Sequence, residues 1–228
     1  LNYLAHLFLA QRNPHSLVGN LMGDFLRGVK VKDLPERIAR GVHNHLAVDR
    51  YTDSHACLKP LKAGFSAQRR RFAGIIIDVV FDHFLIKHWR NYSRENLASF
   101  TAYCYESFTE LRNAMPPAMQ HKVAWMIQYD LLNSYAELEG VGNALNGISR
   151  RIRFENHLAG AIDEVARNYQ ALELGFEEFF TPLCEHVRDL NIETGPVVVA
   201  GNTNHSESRH ATYSLVHCQQ YRRVHRPG

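Results

Sequence analysis

The sequence predicts an all-α protein built as one helical bundle, and three observations predict it. Almost nothing in residues 1–190 alternates apolar and polar with period two, so strands are not needed to account for that stretch. Residues that start and stop helices punctuate it at ordinary helix lengths. With 228 residues and 45% hydrophobic content, the chain can bury one sizeable core, and its length fits one domain better than two.

Taken in order, residues 1–11 read as a short helix broken at Asn13-Pro14. Residues 16–27 form a second, ending at Gly28 with Arg27 in the last turn. A third covers 35–54, with Asp33 as candidate N-cap and Pro35 and Glu36 suited to its first turn. A fourth covers 59–72 and continues past a bend at Gly74 through 75–92. Further helices are expected over 93–115, 117–135, 137–148 and 154–190, the last long enough to kink at Gly160 or Gly175. Residues 1–190 are thus the expected domain. In residues 191–228, Gly195-Pro196-Val197-Val198-Val199 is strand-like in isolation, but the rest is polar and rich in His and Arg. A disordered C-terminal extension is expected there.

The net charge of +3 is concentrated in that extension, where residues 191–228 contribute +2 and residues 1–190 only +1. The body therefore gives no charge-based case for nucleic acid. Cys57, Cys104, Cys184 and Cys218 are scattered without a C-x-x-C pair, which argues against a disulfide framework or structural zinc and for a reducing compartment. The apolar N-terminus LNYLAHLFLA lacks a basic n-region and a convincing cleavage site. The longest apolar run, near residues 73–86, is interrupted by Asp78, Asp82 and His83. No membrane span is expected, and the expected location is cytoplasmic.

Chemistry concentrates in two segments. In IIIDVVFDHFLI (75–86), Asp78 and Asp82 lie four residues apart and project from nearly one helix face among apolar neighbours. A buried carboxylate needs a partner, and two on one face repel. A metal ion, buried arginines, or a helix terminus capped by one of the acids would each answer. In GVHNHLAVDRYTDSH (41–55), His45, Asp49, Thr52 and Asp53 share a face, while His43 points to the opposite side and belongs to the surface. Imidazole with carboxylate suits Mn, Fe, Zn or Mg, although a solvated face with ordinary hydrogen bonds has the same pattern. Asn2 with His6, and Asn20 with Asp24 followed by Arg27, repeat the spacing more weakly. Four such faces converging in a bundle make a metal centre. No G-x-S-x-G, H-E-x-x-H or G-x-x-x-x-G-K-[ST] is present, so serine hydrolase, zincin and P-loop chemistries lack their motifs. Ser149-Arg150-Arg151 could hold a phosphate or be a solvated turn.

The stretches LNYLAHLFLA, GNLMGDFLRG, HLAVDRYTD and IDVVFDHFLIKHW, in that order, resemble the acyl carrier protein phosphodiesterases. The likeness continues more loosely through LNGISRR and NYQALELGFEEF. It implies a fold similar to the HD-domain phosphohydrolases and a manganese centre, with Mg²⁺ or Fe²⁺ as alternatives. The implied reaction removes 4′-phosphopantetheine from holo acyl carrier protein, leaving the apo protein. Carried over by residue, the implied metal ligands are His45, Asp49, Asp78, Asp82 and His6. Asp53 or Asp24 would take the proton of the attacking water, and His83 or His88 would protonate the departing serine oxygen. Arg27, Arg150 and Arg151 would neutralise phosphate, and Lys62, Arg69, Arg70 and Arg71 would meet the acidic carrier protein. Two features depart from the family: Asp82-His83 reverses the usual HD order, and Leu46-Ala47 stands where arginines are usual. Leu1 falls at the family's initiator Met, for which an alternative start codon is the expectation. A nucleotide-directed HD-type hydrolase and a non-catalytic metal-binding bundle remain the alternatives.

Overall fold

Apolar on nearly every side, α6 (Ala73–Lys87) becomes the central element of a computed structural model that describes residues 1–194. Its Ile76, Val79, Val80, Phe81, Phe84 and Leu85 are all buried, as a helix without a polar face must be. Packed against it are α1 (Tyr3–Phe8), α4 (Leu58–Ala63), α11 (Leu138–Arg151) and α13 (Tyr169–Leu190). The amphipathic α13 contributes buried Phe176, Phe179 and Phe180, and the rings of the first two meet Phe81 and Phe84 at 5.4–6.0 Å. The remaining helices are α2 (Pro14–Met22), α3 (Glu36–Ser54), α5 (Ala67–Arg70), α7 (Trp89–Tyr92), α8 (Leu97–Glu110), α9 (Pro117–Gln128), α10 (Leu131–Ser134) and α12 (Ile162–Arg167). Among the described residues the protein is all-α, with thirteen α-helices and no strand.

Helices α2 and α3 form the closest pairing. A Cβ on Gly19 would lie 2.3 Å from the Ile38 carbonyl oxygen, and one on Gly41 would lie 2.9 Å from the Gly19 Cα. Only glycine at both positions lets the two backbones touch. This seam fixes the height of α3 against the turn that follows α2, where Asp24 sits.

Several long helices expected from the sequence are subdivided, each break having a local cause. The stretch 59–92 becomes four helices, and the Ser66 amide at one bend donates to Glu164 Oε2 at 2.9 Å. The helix expected over 93–115 begins only at Leu97, because the Asn96 side chain caps it by accepting from the Ala98 amide. The one expected over 117–135 divides at Asp130, which takes φ 46° and is held by Asn133 Nδ2. Residues 154–190 contain a loop with Gly160 at φ 70°, then α12 and α13, whereas Gly175 continues α13 without interruption. Pro35, rather than Asp33, sits at the N-cap of α3.

Asn191 turns the chain with φ 50°, and Glu193 folds back onto the start of α2. There it accepts from Ser16 Oγ at 2.5 Å, the Gln11 amide at 3.2 Å and Asn20 Nδ2 at 3.2 Å. The disorder expected of the extension falls otherwise on residues 195–228, outside the described residues.

Candidate metal centre

The site forms where α1, α3, α6 and the 3₁₀ turn Gly23–Phe25 meet. His6 comes from α1, His45 and Asp49 lie one turn apart on α3, Asp78 stands on α6, and Asp24 is in the turn. Helical i, i+4 spacing alone sets His45 beside Asp49, with Nε2 to Oδ2 at 3.1 Å. From the other side His6 Nε2 approaches Asp49 Oδ1 at 3.2 Å, and the His6 and His45 rings stack with centroids 3.8 Å apart. Asp24 Oδ1 lies 3.9 Å from His45 Nε2. Asp49 and Asp78 converge as well, because each places Oδ1 3.4 Å from the Leu1 amino nitrogen.

Packing holds the His45 ring in place. A Cβ on Gly23 would lie 2.2 Å from His45 Cγ and Cδ2, so the imidazole rests directly on the glycine backbone. Nδ1 of His6 and Nδ1 of His45 are buried without a hydrogen-bond partner among the described residues, while Nε2 of each faces the Asp49 carboxylate. Buried polar atoms of this kind are rarely left unsatisfied. Desolvation pushes His6 down to about 3, so its imidazole is neutral at physiological pH and keeps a lone pair free. Burial alone would raise the Asp49 carboxyl, but His45 and His6 hold it well below the usual carboxylate range. Asp24 and Asp78 go the other way. Desolvation raises both, and the charge of Asp49 adds to it. Two imidazoles and a carboxylate within 4.8 Å of one another, flanked by two further carboxylates, fit a divalent cation with mixed N and O ligands.

Not every residue expected here arrives. Asp82, fully buried, turns its carboxylate to the start of α1, where Oδ2 accepts from Asn2 Nδ2 and the Leu4 amide and Oδ1 from the Ala5 amide, all at 2.9 Å. Those amides are orphan donors of a helix N-terminus, so Asp82 caps α1 and thereby positions His6. His83 leaves the site on another side of α6. Its Nδ1 faces the Tyr135 carbonyl at 2.9 Å and must donate, so Nε2 accepts from the Tyr169 hydroxyl at 2.9 Å. His88 pairs with Glu173 at 2.6 Å. Asp53 stays exposed, close enough for its charge to raise Asp78.

The arginines divide similarly. Arg69 is committed to the fold, donating to the His157 and Ala159 carbonyls and to Glu164 Oε1 at 2.7 Å. Arg70 reaches the Phe65 carbonyl at 3.4 Å, and Arg71 lies over the Phe72 and Phe154 rings. Arg27, Arg150 and Arg151 are exposed, the last two in the final turn of α11. Sequence reasoning passed over Tyr3 on α1 and Lys122, whose Nζ lies 5.2 Å from the Tyr3 ring centroid. Tyr3 sits one turn before His6, a spacing that could have drawn attention to it. Lys122 gives no local signal on α9.

Comparison with known proteins places the chain in a family. The family model described as "Acyl carrier protein phosphodiesterase" matches residues 1–183. A protein of that name from Serratia proteamaculans is 35% identical over 190 residues, 83% of this chain and 98% of its own length. Its namesake in Klebsiella pneumoniae is 35% identical over 182 residues, 79% of this chain and 94% of its own. An Escherichia coli protein of the same name is 32% identical over 181 residues, again 79% of this chain and 94% of its own. No solved structure is a significant match. With its match covering nearly all of the helical body, the chain belongs to the acyl carrier protein phosphodiesterase family.

Proposed function

We infer that this protein is a metal-dependent phosphodiester hydrolase that removes the 4′-phosphopantetheine arm from holo acyl carrier protein. The observation that carries the metal dependence is the His6–His45–Asp49 cluster, in which both imidazole Nδ1 atoms lack partners and both Nε2 atoms face the Asp49 carboxylate. Family membership supplies the substrate class. Manganese is the proposed ion, with Mg²⁺ or Fe²⁺ compatible with the same donors.

His6, His45 and Asp49 would hold the cation, and Asp78, which meets the same Leu1 amino nitrogen as Asp49, stands nearby. When bound, the ion supplies Lewis acidity toward a phosphoryl oxygen and makes water more acidic. The chain's own residues do the rest. Asp24 stands apart from the three converging ligands and opens to solvent, with 41% of its side chain exposed. Its raised pKa makes it a stronger base than an ordinary aspartate, suited to taking the proton of the attacking water. As the water oxygen bonds to phosphorus, the bond from phosphorus to the carrier-protein serine breaks, and the serine oxygen takes up a proton. His83 is poorly placed for that last transfer, since both its nitrogens are engaged elsewhere.

Mass spectrometry of holo acyl carrier protein incubated with this protein and Mn²⁺ tests the reading. The expected result is loss of the prosthetic arm, abolished by chelator. Intact carrier protein, with hydrolysis of a nucleotide from a parallel panel, would replace this reading with the nucleotide-directed one.

A further inference from the structure

We propose that the loop after α11 and the arginines at the end of α5 form the surface on which the acidic carrier protein docks, with Phe154 at its centre. This rests on the hydrolase reading above and adds to it the place where the substrate protein is gripped. Phe154 is 57% exposed, yet its orientation is fixed. Its ring centroid lies 6.1 Å from that of Phe72, and the Arg71 guanidinium sits 5.6 Å from the one and 5.7 Å from the other. Buried Asn156 ties the loop together. It donates to the Ser149 and Phe154 carbonyls at 3.1 and 3.0 Å and accepts from Ser149 Oγ at 2.8 Å and the Leu158 amide at 3.1 Å. Arg69 then fastens the far end through the His157 and Ala159 carbonyls. A single exposed aromatic is ordinary on a protein surface. One held in place beside a guanidinium is a pre-ordered contact, which loses little freedom when a partner arrives.

Charge decides which partner fits. Arg70, Arg71, Arg150, Arg151 and Arg153 are all exposed, on this loop, the last turn of α11 before it or the end of α5. Among the described residues none of these five has a carboxylate at ion-pair distance. The acids close by are engaged elsewhere, Glu164 with Arg69 at 2.7 Å and Glu155 with His157 at 3.4 Å. Unpaired cations around one apolar ring complement an acidic protein surface and repel a basic one. The net charge of only +1 over residues 1–190 argues against a nucleic acid as the occupant. Arg150 and Arg151, expected to neutralise phosphate, thereby join the docking surface. Its place in the fold suits the substrate as well. Helix α6 begins at Ala73, directly after Arg71 and Phe72, and Asp78 lies five residues further, about 8 Å along the axis. The bond to be cut joins phosphorus to a serine of the carrier protein itself, so that protein's surface must come close to the metal centre.

The test uses the full chain loaded with Mn²⁺, with apo acyl carrier protein as binding probe and holo acyl carrier protein as substrate. The apo protein lacks the arm and its phosphate, so its binding reports the protein surface alone. Phe154→Ala and Arg153→Glu change exposed side chains and should melt with the parent. Each should raise the Kd for apo carrier protein and the KM for holo carrier protein about tenfold, as loss of a central interface contact does. The kcat should stay within about twofold. Arg153→Lys keeps the charge and should stay near the parent, and added salt should raise the parent's KM more steeply than that of Arg153→Glu. Unchanged Kd and KM in both Phe154→Ala and Arg153→Glu would overturn the surface. So would a parent dimer in sedimentation that Phe154→Ala dissociates, or a random oligonucleotide that binds more tightly than apo carrier protein. If the parent binds apo carrier protein but leaves the holo protein intact, the hydrolase reading fails by itself, and the Kd values still decide the docking surface.

Discussion

At the residue scale, two aspartates with the same kind of sequence setting take different jobs. Asp49 and Asp82 each belong to an i, i+4 pair on an apolar-flanked helix, but Asp49 joins His6 and His45 while Asp82 caps α1. Substitution by Asn should separate them. Asp49→Asn removes a ligand to the ion together with a carboxylate that His45 and His6 stabilise, so Mn²⁺ binding should be lost outright and stability in chelator should fall as well. Asp82→Asn leaves a buried amide donor facing another donor, so stability in chelator should fall by about 1–3 kcal/mol. Metal binding should then suffer only through displacement of His6. Calorimetric titration alongside thermal melts in chelator checks both, and equal behaviour of the two variants would contradict this division. Periodicity made His45 and Asp49 legible as a pair, because that contact is local. It could not reveal where the N-terminus of α1 would lie, and that long-range placement decides the role of Asp82. Nothing near Lys122 in sequence announces its contact with Tyr3, since the two meet only after folding.

At the element scale, short helices are tied together by side chains that sequence reading assigned to solvent or substrate. Arg69 was expected to meet the carrier protein, yet it joins α5 to the loop at 157–159 and to Glu164 of α12. Burial alone would raise Glu164, but the Ser66 amide and Arg69 pull it from its ordinary 4.5 down to about 2. Because the folded value is the lower one, the stabilisation is complete above about 4.5 and disappears as pH falls through about 2. Arg69→Met should therefore cost about 1–3 kcal/mol at neutral pH. The gap from the parent should narrow as urea unfolding is repeated at increasing acidity below about pH 4.5. A gap independent of pH would mean that Arg69 contributes only packing. Helix existence was largely legible from the pattern, whereas the breaks at Ser66, Asn96 and Asp130 depend on partners distant in sequence or on side-chain caps.

For the whole molecule, the fold closes on itself near its C-terminal edge. Glu193 returns to the start of α2 beneath Ser16 and Asn20, and Asn20 Oδ1 accepts from Asn44 Nδ2 of α3 at 3.0 Å. Truncation after Leu190 removes this carboxylate and should lower stability by about 1–3 kcal/mol. Truncation after Thr194 keeps it and should stay within about 0.5 kcal/mol of the full chain. Urea midpoints of the two truncated proteins give the comparison, and coincident midpoints would show that Glu193 contributes nothing. The all-helical class was readable across the body because apolar spacing is repeated throughout. No helix among the described residues is long and apolar enough to cross a membrane.

The cap on α1 joins ion binding to the order of the chain's first turns. A helix of six residues is too short to persist alone, so α1 exists because Asp82 receives its amides and the core receives Leu4 and Leu7. It also carries His6, so a bound ion would grip the same short helix that Asp82 caps. Any ligand that favours the ordered segment over the frayed one stabilises it by mass action, about 2.7 kcal/mol at a hundredfold excess over Kd. Amide hydrogen exchange in α1 should therefore slow when Mn²⁺ is added, far more than exchange in α8, and the degree of slowing measures how much metal affinity is used to order the N-terminal segment.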